Sequence, residues 1–414
     1  MFRHVSRHVL GQLRLMAAGD AQLPWFIAPT AGNPLVTRRT LAELKEEIAR
    51  RAEHDLAPLT GVPFDDARTV IAAVDDLERD NWARAWSDRA DLHLERAHAL
   101  EPTSPTDARE AFWQAWRLFN FARWPVENTP FKRYVYPRAL AAFRNFGRLL
   151  DPPIELVRVP FENQVIVGCL RVPATPRPAP LVLGISGLDS RKEDVAVAGD
   201  PYLKHGIALL AVDMPGTGEA PIALDRTAER MFSALLDYVA RRPDLDASRV
   251  VVQGRSWSGY WAAKLAVVER ARLSGTVVHG GPIDRYFQPD WLKASLDTPE
   301  YLYDYFPAKA ALFGASTVEE MLERAPAYSL AAQGMLDEPA APMLIVNGAR
   351  DSQIPVDDLF VLLEHGSPKE AWINPAGGHM GRSRDWPSHR IRDEVIMPWV
   401  ARCLSREQRD PDQV

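Results

Sequence analysis

Apolar positions along this chain change their period near residue 150. From Leu41 to Leu149 they recur at helical spacing: Val70, Ile71, Val74 and Leu77 form a stripe that Trp82 and Trp86 continue, and Phe112, Trp113, Trp116, Leu118 and Phe119 form another. The pattern predicts several antiparallel helices. Proline-bearing segments at 101–105 and 124–130 interrupt it, because proline blocks helix propagation and biases the residue before it toward extended backbone. No repeat of fixed period emerges, so a solenoid is not expected.

After Asp151-Pro152-Pro153 the texture is different. Ile154–Pro160 and Gln164–Val172 alternate as a hairpin does. Short apolar runs follow at Leu181–Ser186, Ile207–Asp213, Arg249–Gln253, Gly275–Gly280 and Pro342–Asn347, separated by helical stretches that include Arg226–Ala240 and Tyr260–Arg270. Runs of that kind are what a parallel sheet buried on both faces requires. We therefore expect a helical domain over 1–150 and an α/β domain over 151–414. The longest interruption, 282–341, holds Tyr286, Phe287, Trp291, Tyr301, Tyr303, Tyr305 and Phe306. A connection so long is usually functional, and a lid over a site is the expectation, with surface helices sealed to the core by those aromatics as the alternative.

Composition narrows the function classes. A chain of 414 residues is long for one core, and with 46% hydrophobic and 25% charged residues it has the balance of an ordinary globular protein. A net charge of −6, with no long Lys/Arg run, argues against nucleic acid as a partner. The two cysteines, Cys169 and Cys403, form no disulfide framework or metal spacing, so a reducing cytoplasm is the expected compartment. Residues 1–15 read as an amphipathic surface helix and resemble neither a secretory signal nor a membrane span. His4 and His8 within it lack an acidic third ligand, so no metal is expected there.

The candidate chemistry falls at strand ends. Arg249–Gln253 followed by Gly254-Arg-Ser-Trp-Ser-Gly259 and then Tyr260–Leu265 reads strand, sharp turn, helix. A nucleophile elbow needs that context, with glycine relieving crowding and the serine held exposed, which makes Ser256 the candidate nucleophile. Ser258 stands where the usual motif has its second glycine, and Gly259 comes one residue later. Met343–Asp351 is a buried run ending in an aspartate, and Trp372–His379 is another ending in a glycine-flanked histidine. The order Ser256, Asp351, His379 is that of α/β-hydrolases. His379 would take the serine proton while Asp351 orients it. The oxyanion would be met by the backbone N–H of Trp257 and by the loop at Gly187 and Leu188.

Ser186-Gly-Leu-Asp-Ser-Arg-Lys-Glu193, Asp213-Met-Pro-Gly-Thr-Gly-Glu219 and Gly254–Gly259 resemble the α/β-hydrolase family of 2,6-dihydroxypseudooxynicotine hydrolase and the fermentation-respiration switch proteins. Asn81–Trp86 and Trp113–Pro125 in the helical half are similar too. The resemblance implies an α/β-hydrolase fold, a helical N-terminal domain that helps enclose the site, a homodimer, and hydrolysis without metal or organic cofactor. It also implies a further acidic residue in the site, for which Asp284 is the nearest candidate and Asp189 and Glu193 are alternatives. Members cleave carbon–carbon bonds beside ketones, shorten polyketides or act as esterases. A small oxygenated aromatic or polyketide-like substrate is the expectation, with Tyr286, Trp291, Tyr301 and Tyr305 as candidate contacts. A broad carboxylesterase, a non-hydrolytic regulatory binding protein of the same fold and a gated peptidase are the alternatives.

Overall fold

The computed structural model describes residues 34–175 and 177–405. The N-terminal amphipathic stripe, with His4 and His8, lies outside the described residues.

Five helices come first: α1 (Leu41–Glu53), α2 (Phe64–Ala73), α3 (Arg79–Leu100), α4 (Pro105–Arg123) and α5 (Pro130–Gly147). Local chemistry sets their ends. Thr40 and Glu43 form a reciprocal capping box on α1, and Thr129 Oγ accepts Lys132 N–H at the start of α5. Proline opens α4 and α5, where its missing N–H costs nothing. The stripe from Val70 to Trp86 is not one helix. Asp76 makes the break: its carboxylate accepts Glu78 N–H at 2.9 Å and Asn81 Nδ2 at 2.7 Å, and its carbonyl accepts the Trp82 indole N–H at 2.6 Å. Those local bonds offer the backbone a turn in place of a further helical one. Trp82, Trp86, Trp116, Phe112 and Phe119 are buried between the helices.

Eight strands follow in one sheet of order β1-β2-β4-β3-β5-β6-β7-β8. They are β1 (Glu155–Phe161), β2 (Gln164–Arg171), β3 (Ala179–Ile185), β4 (Ala208–Val212), β5 (Leu245–Arg255), β6 (Gly275–His279), β7 (Met343–Gly348) and β8 (Glu370–Asn374). The β1–β2 hairpin and the β2–β4 pair are antiparallel, and every pairing from β4 across to β8 is parallel. Alternate residues enter separate cores: Leu181, Leu183, Val252 and Ile345 on one face, Val182, Val251, Val277 and Leu344 with Ile391 and Trp399 on the other. A sheet covered on both faces is why these strands read as unbroken apolar runs.

The crossovers include α6 (Lys192–Ala196), α7 (Asp200–Lys204), α8 (Arg230–Ala240) and α9 (Gly259–Val268). The insertion at 282–341 carries α10 (Pro289–Ser295), α11 (Tyr305–Leu312) and α12 (Val318–Arg324). Its first turn rests on Asp358, whose carboxylate accepts the N–H groups of Ile283, Asp284, Arg285 and Tyr286. Burial still pushes Asp358 up to about 6.

Buried ion pairs join the helical half to the rest. Arg191 reaches both carboxylate oxygens of Glu127, at 2.9 and 2.8 Å. Arg117 meets Asp194 at 2.7 Å, and Arg79 and Lys132 meet Asp304 at 2.7 and 3.6 Å. Between them Trp124 stacks on Tyr301, with centroids 5.0 Å apart.

Candidate active site

β5 delivers Arg255 to a turn and α9 leaves from Gly259, so Ser256 must reverse the chain within three residues. It does so with φ at +56°, a left-handed conformation that costs a non-glycine residue energy. Its neighbours make room. A Cβ on Gly254 would lie 2.1 Å from the Ser258 carbonyl oxygen, and one on Gly259 would lie 2.5 Å from Gly281 Cα. The close helix–strand approach is thus met by Gly259. Ser258 does a different job: its buried hydroxyl accepts Arg255 N–H and lies 2.8 Å from the Ile185 carbonyl, tying the turn to β3.

Ser256 Oγ instead faces His379, 2.6 Å from Nε2. His379 Nδ1 lies 2.8 Å from Asp351 Oδ2, and both side chains are buried. Asp351 follows β7, and its other oxygen accepts Gln353 and Ile354 N–H at 2.8 and 3.0 Å, which fixes the carboxylate plane. His379 follows β8 in a tight loop in which Met380 takes φ +62°. That strained residue is held at both ends: its N–H donates to Asn347 Oδ1 at 3.1 Å and its carbonyl accepts His279 Nε2 at 2.8 Å. Burial drives His279 down to about 3, so it stays neutral and serves as a fixed donor. With Nδ1–H donated to Asp351, Nε2 of His379 is the acceptor for the Ser256 proton.

The loop after β3 passes directly over the serine. A Cβ on Gly187 would sit 2.9 Å from the Arg255 carbonyl oxygen and 3.1 Å from Ser256 Cβ, so only glycine fits. The Gly187 N–H is engaged by Ser190 Oγ at 2.8 Å. Leu188, next after Gly187, and Trp257, next after Ser256, are both buried.

The other sequence candidates separate into groups. Asp189 accepts the Trp124 indole N–H at 3.2 Å, and burial with the Asp189 charge holds the Tyr301 hydroxyl well above its usual range. Tyr301 packs on Tyr305 at 4.4 Å, and the Tyr305 hydroxyl donates to the Gln353 carbonyl at 3.4 Å, beside the Asp351 turn. Glu193 belongs to another cluster: Lys192 Nζ contacts it at 2.8 Å, Asp213 at 3.1 Å and Glu219 at 2.7 Å. Burial, with two further carboxylates around one lysine, pushes Glu193 up to about 7. Asp284 is bonded by the Ser329 hydroxyl in the insertion. Tyr286 is buried, edge-on to Phe287, which in turn meets Trp257, while Trp291 is half-buried.

Sequence reasoning passed over Lys309, buried between the Tyr286 and Tyr305 rings and donating to Ser295 Oγ at 2.7 Å. It also passed over Glu300, which bonds the loops of both His379 and Asp351. Neither lies in a motif. Among the described residues no His/Cys/Asp/Glu group is placed to hold a metal ion, and no helix is long and apolar enough to cross a membrane.

The Esterase FrsA-like family matches residues 67–366. Esterase FrsA of Vibrio vulnificus is 27% identical over 288 residues, 67% of each chain. The 20-hydroxy-prefusarin hydrolase of Gibberella moniliformis is 28% identical over 261 residues, 56% of this chain and 61% of its own. Two solved structures share the fold. The 2,6-dihydroxy-pseudo-oxynicotine hydrolase has a TM-score of 0.70 at 23% identity, over 83% of this chain and 93% of that one. AbyA5 has a TM-score of 0.65 at 22% identity, over 91% and 96%.

Proposed function

The chain belongs to the FrsA-like family and is a hydrolase of the α/β-hydrolase fold, and from that premise we propose that Ser256, His379 and Asp351 are its catalytic triad. The single observation that carries this reading is Ser256 Oγ, held at positive φ, 2.6 Å from His379 Nε2. Attack by Ser256 on a carbonyl sends its proton to His379, whose imidazolium is stabilised by Asp351. The oxyanion is received by the N–H groups of Trp257 and Leu188, since that of Gly187 is engaged by Ser190. Loss of one such donor costs about 3 kcal/mol of barrier. The imidazolium then protonates the leaving group, and water releases the acyl-enzyme by the reverse sequence.

We further propose that the bond cleaved is an acyl bond in a small aromatic or polyketide-like compound, either carbon–carbon beside a ketone or ester. The buried Tyr301 and Tyr305 beside the half-buried Asp189 support this reading by offering flat apolar surface with polar tips, which suits a planar oxygenated ligand. A carbon leaving group must depart as a conjugated carbanion protonated by His379, whereas an ester needs no such activation. Product analysis separates the two: a 1,3-diketone or acylphenol yielding acid plus ketone or arene supports carbon–carbon cleavage, and turnover of esters alone removes it. Labelling of Ser256 by a fluorophosphonate tests hydrolysis against mere binding. The helical half is proposed as a cap over this site within a homodimer, whose mass light scattering reads directly.

A further inference from the structure

Glu300 stands in the stretch between α10 and α11, half-buried, and its two carboxylate oxygens go to two different loops. Oε1 accepts His379 N–H at 2.8 Å. Oε2 accepts Ser352 N–H at 2.8 Å and the Ser352 hydroxyl at 2.5 Å. Ser352 immediately follows Asp351. One carboxylate therefore joins the loop that carries the imidazole to the loop that carries its acid. It does so through two main-chain N–H groups and the Ser352 hydroxyl, using neither the imidazole nor the Asp351 carboxylate. Such bonds are charge-assisted and roughly twice as strong as neutral ones.

Two neighbours fit this arrangement. A Cβ on Gly378 would lie 2.3 Å from Glu300 Oε1, so the bare glycine is what admits the carboxylate. Thr298 Oγ, two residues before Glu300, lies 2.6 Å from the Ser352 hydroxyl and adds a second tie. The helical half grips the same stretch from the other side. Arg51 Nη2 donates to the Glu300 carbonyl at 2.8 Å, and Arg39 reaches the carbonyls of Pro299 and Tyr301, each at 2.7 Å. Further along, the N–H of Asp304 donates to the Val36 carbonyl at 2.6 Å.

We propose that Glu300 is a positioning residue for His379 and Asp351, and that through it the helical half sets the spacing of the triad. The inference rests on Ser256, His379 and Asp351 being that triad. Because Glu300 acts on placement of the base, its loss slows the chemical step and leaves substrate binding alone. In the full chain, acting on an activated aryl ester, Glu300→Ala should lower kcat by about 10- to 100-fold with KM changed little. Glu300→Gln keeps one acceptor and the same volume, so it should fold as the natural protein does and lose less kcat than Glu300→Ala. Arg51→Met, remote from the reacting atoms, should lower kcat in the same direction and by less. Unchanged kcat in Glu300→Gln together with Glu300→Ala, or a loss confined to KM, overturns the proposal. If Glu300→Ala does not fold, kcat in Glu300→Gln and Arg51→Met decides alone. Ser256→Ala run alongside keeps the two claims apart. Retained turnover there brings down the triad itself, whereas a dead Ser256→Ala beside a fully active Glu300→Ala brings down only the role of Glu300.

Discussion

Ser256 carries a conformational cost at φ +56°, which the role proposed for its hydroxyl accounts for. Ser256→Gly should therefore raise the melting temperature, by up to about 1 kcal/mol in stability, while abolishing fluorophosphonate labelling. Ser258→Ala should behave in the opposite way. It strands the Arg255 N–H and the Ile185 carbonyl, so stability falls by about 1–3 kcal/mol in denaturant titration while labelling persists. A third residue answers to pH. Burial holds Glu193 at about 7 against an ordinary 4.5, so the folded state binds that proton more tightly than the unfolded chain does. Its stabilising contribution is complete below the unfolded value and is lost as pH rises through the folded one. Glu193→Gln should accordingly flatten the decline in denaturation midpoint between about pH 5 and about pH 8. Ser256, Asp351 and His379 were legible in the sequence because each ends an apolar run with a local turn signature. Glu300 was not, because its partners Ser352 and His379 lie 52 and 79 residues further on, and no spacing rule reaches that far.

The strands were easy to find for a related reason: burial on both faces writes itself into the sequence as continuous apolar runs. The helical boundaries were harder. Periodicity carries the α2 stripe straight into α3, and only the bonds gathered by Asp76 end it. The insertion is harder still, because Tyr286, Phe287, Tyr301, Tyr303 and Tyr305 are all buried and fasten its short helices to the elbow and to α4. Its anchor is Asp304, at φ +58°, where Asn is also tolerated. Asp304→Asn should keep the backbone but remove the carboxylate charge that Arg79 and Lys132 meet at 2.7 and 3.6 Å. The expected loss is about 3–5 kcal/mol, read from denaturant unfolding.

The sequence showed two textures across the molecule but not how they meet. Charged residues, among them Arg79, Glu127, Lys132 and Arg191, are buried where the halves touch. A truncation beginning at Asp151 would uncover Tyr301 and Tyr303, which pack on Trp124, and remove the partners of Arg191 and Asp304 in the helical half, so it should be insoluble or inactive. A soluble, fully active fragment would show the helical half to be dispensable. The same ionic seam bears on how such a protein changes over generations. Glu127, Asp194 and Asp304 each answer a cation in the opposite half, so a substitution on one side is tolerated only with a matching change on the other. The two halves are in that sense a matched set of key and lock. A chimera that takes its helical half from a relative with different charges along the seam inherits a key cut for another lock.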